Sequence, residues 1–336
     1  MNVSSQPPVC DVHGHFLPLS ALPLLDVGPV RVTVGEVRGN PDSLVLNGMP
    51  LGATAGELSS VDYILQQMET AGVERRVLSP PPFTFRYWAD VEMGVELCRR
   101  LNDGLAEAVA SHPQRLVGLC TVPLQDTAAA IAELERATRE LGLSGVAVGT
   151  VVRDGNLSDE RLLDFFAAVA DAGLPVLVHP DFVPNRRLAD YYLLNLVGMP
   201  VETATAMANM IFSGMLDQLP HLRLCFSHGG GVAPYLFGRW TRGWQVRPEC
   251  RDRIRRPPEE YLRLVYCDTI THSSLSLSFL IRLIGEHRVL LGTDHPFDVQ
   301  DPDPRGTLAA APGIGPEERH WVERRAPEQW LRGASA

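Results

Sequence analysis

With 336 residues, 45% of them apolar, the chain has material for a large core, and its formal net charge of −10 with a pI near 5.5 argues against a nucleic-acid or anionic-membrane surface. The length exceeds ~150 residues per domain, but α/β barrels run to ~250 residues or more as one unit, so one domain over residues 1–336 is expected. No apolar run approaches the ~20 residues of a membrane span, the first ten residues carry no signal-peptide pattern, and Cys10, Cys98, Cys120, Cys225, Cys250 and Cys267 lack CxxC spacing, so a reduced, cytoplasmic protein without a membrane partner is expected.

Val9 to Val12 read as the end of a short buried strand, and His13 and His15 follow at alternate positions. In an extended backbone, residues i and i+2 project from one side, so a single strand end offers two imidazole nitrogens to one divalent ion. Residues 19–58 hold many Gly, Pro and Val and no long periodic helix; short apolar stretches at 30–34 and 43–46 suggest a small β insertion, either a structural flap or a lid over the active face. Ser59 or Ser60 caps a helix that carries Val61, Ile64, Leu65 and Met68 on one face and stops near Gly72. Residues 73–79 form strand two, followed by three prolines and an aromatic loop over 83–88. Asp90 caps a helix to about Ser111; residues 116–122 are strand three, 126–141 a helix, and 145–149 strand four. Ser158 caps a helix through Ala172, and strand five, 175–179, ends on His179. A longer region with a helix over 207–216 precedes strand six, 222–228, which ends on His228. Strand seven covers 264–268, a helix 274–286, strand eight 288–294, and a last helix begins near Pro316.

Near-continuous apolar strands imply burial on both faces and hence a parallel sheet; eight strand–helix units suit a closed (β/α)8 TIM barrel with an insertion over about 19–58. A doubly wound open sheet is the alternative, but its Gly-rich phosphate turn after strand one is replaced here by His13-Gly14-His15.

Chemistry in such barrels sits at the C-terminal strand ends, where His13, His15, His179, His228 and Asp294 converge although they are spread through the chain. Three imidazoles and a carboxylate suit Zn²⁺ or a similar first-row ion with a position left for water or substrate; a fifth group beside it is placed as general acid/base. Such an ion lowers the pKa of water towards ~7 and polarises a substrate oxygen. Strand four has no lysine for a bridging carbamate, which favours one metal over two. Gly229, Gly230 and Gly231 leave bare backbone that can approach a ligand. Asp11 reads as a ligand, as an orienter of a ligand or as a hydrogen-bonded barrel residue; His295 faces the pocket or packs behind it; His272 reads as a loop residue.

The motifs Asp11-x-His13-x-His15-x-x-Pro18, Val178-His179-Pro180, Ser227-His228-Gly229-Gly230-Gly231 and Gly292-Thr293-Asp294-x-Pro296-Phe297 together resemble the amidohydrolase-superfamily decarboxylases, and among them the 2-amino-3-carboxymuconate-6-semialdehyde decarboxylase group. The likeness runs from Val9 to about Asp298 and includes Tyr87-Trp88-Ala89, Arg115 to Leu119, Leu196 to Thr203 and Gly238-Arg239. It implies one Zn²⁺ per chain, with Mn²⁺ or Fe²⁺ as alternatives, on His13, His15, His179 and Asp294, with His228 as the acid/base that activates metal-bound water. It also implies a homodimer in which Arg239 reaches the neighbouring active site and binds a substrate carboxylate.

The substrate pocket departs from that group. The insertion stretch 44–48 lacks its carboxylate-binding arginine, Asn195 replaces a tryptophan, His295 replaces a tyrosine, and Arg86 replaces a small polar residue. Asn47, Arg86, Trp88, Asn195, His295 and Phe297 are therefore the candidate substrate contacts beside Arg239. The expectation is a metal-dependent lyase without organic cofactor that decarboxylates a small unsaturated or aromatic carboxylic acid, in which His228 moves the proton and Asp294 shares the catalytic centre. The substrate is expected to carry fewer carboxylates than that of the resembled group, or a less polar group facing Asn47 and Asn195. A metal-dependent hydrolase of a C–C, ester or amide bond, and a hydratase, are the alternatives on the same scaffold.

Overall fold

In a computed structural model that describes residues 6–333, the short apolar runs become eight parallel strands. They are β1 (Cys10–His15), β2 (Arg75–Ser79), β3 (Leu116–Gly118), β4 (Val146–Gly149), β5 (Pro175–His179), β6 (Arg223–Phe226), β7 (Tyr266–Asp268) and β8 (Val289–Leu290). Every residue of β1, β4, β5, β7 and β8 is buried, as a sheet covered on both faces requires. Strands β1–β3 are hydrogen-bonded in order, as are β4–β8. At the β3–β4 junction the Cys120 N–H donates to Gly145 O (2.9 Å) and the Ala147 N–H to Cys120 O (2.8 Å). At the β8–β1 junction the Val12 N–H donates to Leu291 O and the Asp294 N–H to His13 O, both 2.8 Å. The architecture is a (β/α)8 barrel.

The covering helices include α1 (Val61–Thr70), α2 (Val91–Ser111), α3 (Thr127–Arg139), α4 (Leu163–Asp171), α5 (Met199–Phe212), α6 (Ala233–Val246), α7 (Ser274–Ile284) and α8 (Ala326–Arg332). The side chains of Ser60, Asp90 and Asp126 accept from the N–H groups of Tyr63, Met93 and Ala129, which satisfies donors that the first turn of each helix leaves open. The cap near residue 158 falls one residue later than expected: Asp159 accepts from the Arg161 N–H (3.0 Å) and opens a short 3₁₀ turn before α4. Helix α5 starts at Met199, ahead of the expected 207, and α6 occupies a stretch where the sequence reading placed no helix.

After β1 the insertion forms a three-stranded antiparallel sheet over Val32–Val37, Asn40–Leu46 and Met49–Thr54. Its second hairpin turns on Asn47 (φ 48°) and Gly48 (φ 87°), the paired left-handed residues of a type I′ turn. The insertion has its own apolar cluster, in which Leu25, Val32, Leu44 and Leu51 pack with Phe83, Leu97 and Phe297 of the barrel. Its burial holds the insertion against the end of the barrel where β2 and β8 lead into Phe83 and Phe297.

Candidate metal centre

The alternation of β1 points His13 and His15 to one side, and their Nε2 atoms lie 3.2 Å apart. His179 closes β5, and Asp294 follows β8 in a left-handed conformation (φ 66°). One ligand atom from each of His13, His15, His179 and Asp294 lies within 4.8 Å of the others, and all four residues are buried. Asp294 Oδ1 is 3.0 Å from His15 Nε2, 3.4 Å from His13 Nε2 and 4.0 Å from His179 Nε2.

The outward nitrogen of each ring is already engaged. His13 Nδ1 donates to Asp268 Oδ2 (2.8 Å), His179 Nδ1 donates to Pro180 O (2.8 Å), and His15 Nδ1 lies 3.4 Å from Ser79 Oγ. The partners at His13 and His179 fix those tautomers and leave the Nε2 lone pairs facing the shared space. His179 Nε2 is buried with no hydrogen-bond partner among the described residues. Burial, with the surrounding imidazoles, pushes the pKa of His179 well down. Burial opposes ionisation of Asp294, but His13, His15 and His228 outweigh it and hold the carboxyl well below its ordinary range. Converging imidazole nitrogens, one of them orphaned, around a carboxylate have the donor chemistry of a first-row divalent ion. The residues fit such an ion. The sequence contains no lysine at all, so no lysine carbamate can bridge a second one.

His228 stands beside this set. Its Nε2 is 3.4 Å from Asp294 Oδ2, the oxygen opposite the one that faces His15. It opens a turn of four consecutive positive-φ residues, His228 to Gly231. A Cβ on Gly231 would collide with the backbone of Pro200, and one on Gly229 with Thr271, so these glycines serve close packing against α5 and the loop after β7.

The sequence reading overlooked Asp268. This buried carboxylate accepts from His13 Nδ1 and the His228 N–H through Oδ2, and from the Gly229 (2.8 Å) and Ile270 (3.1 Å) N–H groups through Oδ1. Its position at the end of β7 was the available signal, the same one that singled out His179 and Asp294. Asp11 takes the structural option: it accepts from Arg76 Nε (2.7 Å), Thr293 Oγ1 (2.7 Å) and the His13 N–H (3.0 Å).

Two spaces meet at Asp294. An outer cleft of about 940 Å³ is lined by His228, Gly229, Ile270, Phe279 and Asp298, and also by His272, which the sequence reading left to a loop. An inner chamber of about 20 Å³ is lined by Leu51, Phe83, His179, Phe182 and Phe297. Asn195, Met199, Asp294 and Val299 line both. Of the candidate contacts, Asn195 lines both spaces and Phe297 the inner one, and the Phe297 ring packs on His15 with 5.2 Å between centroids.

Five candidate contacts lie elsewhere. Asn47 is the exposed turn residue of its hairpin; its amide accepts from the Arg31 N–H and donates to Pro29 O, both 2.9 Å. The Asn47-Gly48 pair was a readable hairpin signal. Arg86 is buried away from both spaces, and its guanidinium donates to the carbonyls of Leu25 (2.5 Å) and Val27 (2.9 Å), binding the insertion to the barrel. Trp88 lies under that guanidinium and packs against Gly28. His295 packs behind the centre against Tyr63 and Gln300, where burial, with Arg76 nearby, pushes its pKa down to about 2. Arg239 is exposed on α6 and lines neither space of its own chain.

The family model described as Amidohydrolase matches residues 10–333. The chain is 40% identical over 238 residues to 2-amino-3-carboxymuconate-6-semialdehyde decarboxylase from Dictyostelium discoideum, which covers 70% of this chain and 66% of that protein, just under two thirds of its length. Among solved structures, the apo form of Metarhizium anisopliae IDCase superimposes with a TM-score of 0.84 at 25% identity, over 98% of each chain. A dihydroxybenzoic acid decarboxylase from Polaromonas, with bound manganese and the inhibitor 2-nitroresorcinol, gives 0.77 at 22% identity over 98% of each chain. No helix among the described residues is long and apolar enough to cross a membrane.

Proposed function

The chain belongs to the Amidohydrolase family, and from that premise we propose that it is a metal-dependent carboxy-lyase that releases CO2 from a small aromatic or unsaturated carboxylic acid. The observation that carries this reading is the buried cluster of His13, His15, His179 and Asp294 with His228 across the carboxylate from it. These four residues would hold one divalent ion. Zn²⁺ suits the three-nitrogen, one-oxygen donor set, and the manganese of the Polaromonas enzyme supports Mn²⁺ as the competing occupant. When bound, the ion supplies Lewis-acid polarisation of a substrate oxygen.

The protein's own groups do the rest. His228 lines the outer cleft on the Oδ2 side of Asp294, placed to carry a proton to the carbon that bears the carboxylate. That carbon gains the proton, its bond to the carboxylate breaks, and CO2 leaves while the bonding pair stays with the ring. Asp294 Oδ2 orients the imidazole, and Asp268 fixes the His228 backbone and the His13 ring with one oxygen. Among the described residues no arginine lines either space, which suits a substrate with a single carboxylate. Exposed Arg239 would contribute a bidentate carboxylate contact to a neighbouring subunit in a homodimer. Free thiols at all six cysteines suit a cytoplasmic setting.

The test is incubation of the metal-loaded protein with a panel of hydroxybenzoates and muconate-type acids, assayed for CO2. Release of CO2 that disappears on chelation and returns with added ion is expected. Formation of two organic fragments, or of a hydrated product without CO2, would overturn the proposal.

A further inference from the structure

The inner chamber, of about 20 Å³, admits roughly one water-sized group. His179 and Asp294 form one wall, so a group that enters lies beside the ion those residues would hold. Leu51, Phe83, Phe182 and Phe297 make much of the remaining wall apolar. Apart from the two candidate ligands, the polar side chains that line it among the described residues are Asn195 and Tyr192. Asn195 Nδ2 already faces Met199 Sδ at 3.5 Å. No hydrogen bond among the described residues engages the Tyr192 hydroxyl.

The backbone presents this ring in an unusual way. Tyr191 and Tyr192 follow one another in the left-handed region, with φ of 57° and 61°. That conformation is uncommon for bulky side chains and recurs at functional sites. The two rings part company: Tyr191 is 87% exposed, whereas Tyr192 lines the chamber. The Asn195 and Leu196 N–H groups donate to the Tyr192 carbonyl (3.0 and 3.1 Å), which fixes the residue at the start of the turn leading into α5.

A space one atom wide between a cation and a phenol O–H suits an oxygen that carries negative charge and accepts from the hydroxyl. We propose that Tyr192 is a catalytic hydrogen-bond donor, whose hydroxyl binds the substrate oxygen that enters the inner chamber and stabilises the charge gathering there as CO2 leaves. The bonding pair released when the bond to the carboxylate breaks is shared with that conjugated oxygen, and Tyr192 keeps its proton. The inference rests on the decarboxylase reading and adds a residue to it.

The experiment uses Tyr192→Phe in the full chain, loaded with Zn²⁺ or Mn²⁺, and 2-nitrophenol, whose ionised form absorbs visible light. The substitution removes only the hydroxyl, so ion content and Tm should match the wild type. Affinity for 2-nitrophenol should fall about tenfold or more, as for loss of a hydrogen bond to a charged group. The bound ligand should also ionise at a higher pH than on the wild type, because a donor to its ionised form is gone. With the acid the wild type turns over best, kcat should fall by a similar factor and KM should change less. Tyr191→Phe, altered at the exposed ring, should change none of these. Unchanged affinity and unchanged ionisation of the ligand on Tyr192→Phe overturn the inference, as does the absence of ion-dependent binding by the wild type. Loss of the ion from the variant makes Tyr192 a support of the metal centre and overturns it too. If no acid releases CO2, the decarboxylase reading fails by itself, while a Tyr192-dependent ionisation of the bound ligand still assigns the donor.

Discussion

Asp268 Oδ2 lies 2.8 Å from His13 Nδ1, and both side chains are fully buried. The same oxygen accepts the His228 N–H at 3.0 Å, so one atom joins a candidate metal ligand to the residue placed to move the proton. In Asp268→Asn, an amide NH2 must face at least one of the N–H donors now gathered on the carboxylate. Loss of such a partner typically lowers metal affinity by about 10–100-fold. Chelator competition on the purified variant should show that drop together with a fall in kcat, and unchanged affinity would remove Asp268 from this role.

His228→Ala should retain its ion and lose turnover. The ligand atoms gather at Asp294 Oδ1, whereas His228 faces Oδ2. Removal of a general acid/base costs about 10²–10⁴-fold in rate. Elemental analysis beside the CO2 assay separates the outcomes: a variant that loses its metal makes His228 a ligand, and one with full rate has another proton path.

Each chain should hold one ion. The cluster offers four ligands, and the lysine-free chain can form no lysine carbamate to bridge a second metal. An ion that binds only the folded state stabilises it by mass action, so chelation should lower Tm and restored Zn²⁺ or Mn²⁺ should raise it in a concentration-dependent way. Two metals per chain after gel filtration would contradict the single-ion site.

Arg86→Ala should loosen the insertion and leave the ranking of substrates intact. Two carbonyls, Leu25 O and Val27 O, lose a charged donor, and hydrogen bonds to charged groups contribute roughly 1.5–3 kcal/mol each. Denaturant unfolding should register a loss of that order, with faster amide exchange across the insertion strands. An altered substrate ranking at unchanged stability would return Arg86 to the pocket.

For Arg239, complementation is the decisive readout. If this arginine serves a neighbouring site, Arg239→Ala raises KM, and mixing it with His228→Ala regains activity, because the mixed dimer then holds one complete site. No recovery on mixing, with dimers confirmed by sedimentation, would place the function of Arg239 in its own chain or remove it.

Some of this centre was legible before folding, because its signals are carried by neighbouring residues. The His13/His15 alternation and the caps at Ser60, Asp90 and Asp126 depend on backbone geometry over a few positions. The apolar runs that became β1–β8 likewise announce burial wherever they occur, and eight of them with a His or Asp at several ends sufficed for a barrel and a metal cluster. Asn47-Gly48 was equally local and was misread as a substrate contact when it specified a turn.

The partners of those residues were decided by the closed ring. Asp268 meets His13 across 255 residues of chain, and Arg86 meets Leu25 across 61. Neither pair has a spacing that a backbone period could betray. Whether a buried arginine faces a ligand or two carbonyls depends on strand register and on how the insertion docks, and both are set by packing that involves the whole barrel. Thus the residue types able to bind a metal were written along the chain, while the Asp268 oxygen on His13 and the place of Leu51 in the lining of the inner chamber arose only when distant segments were brought together.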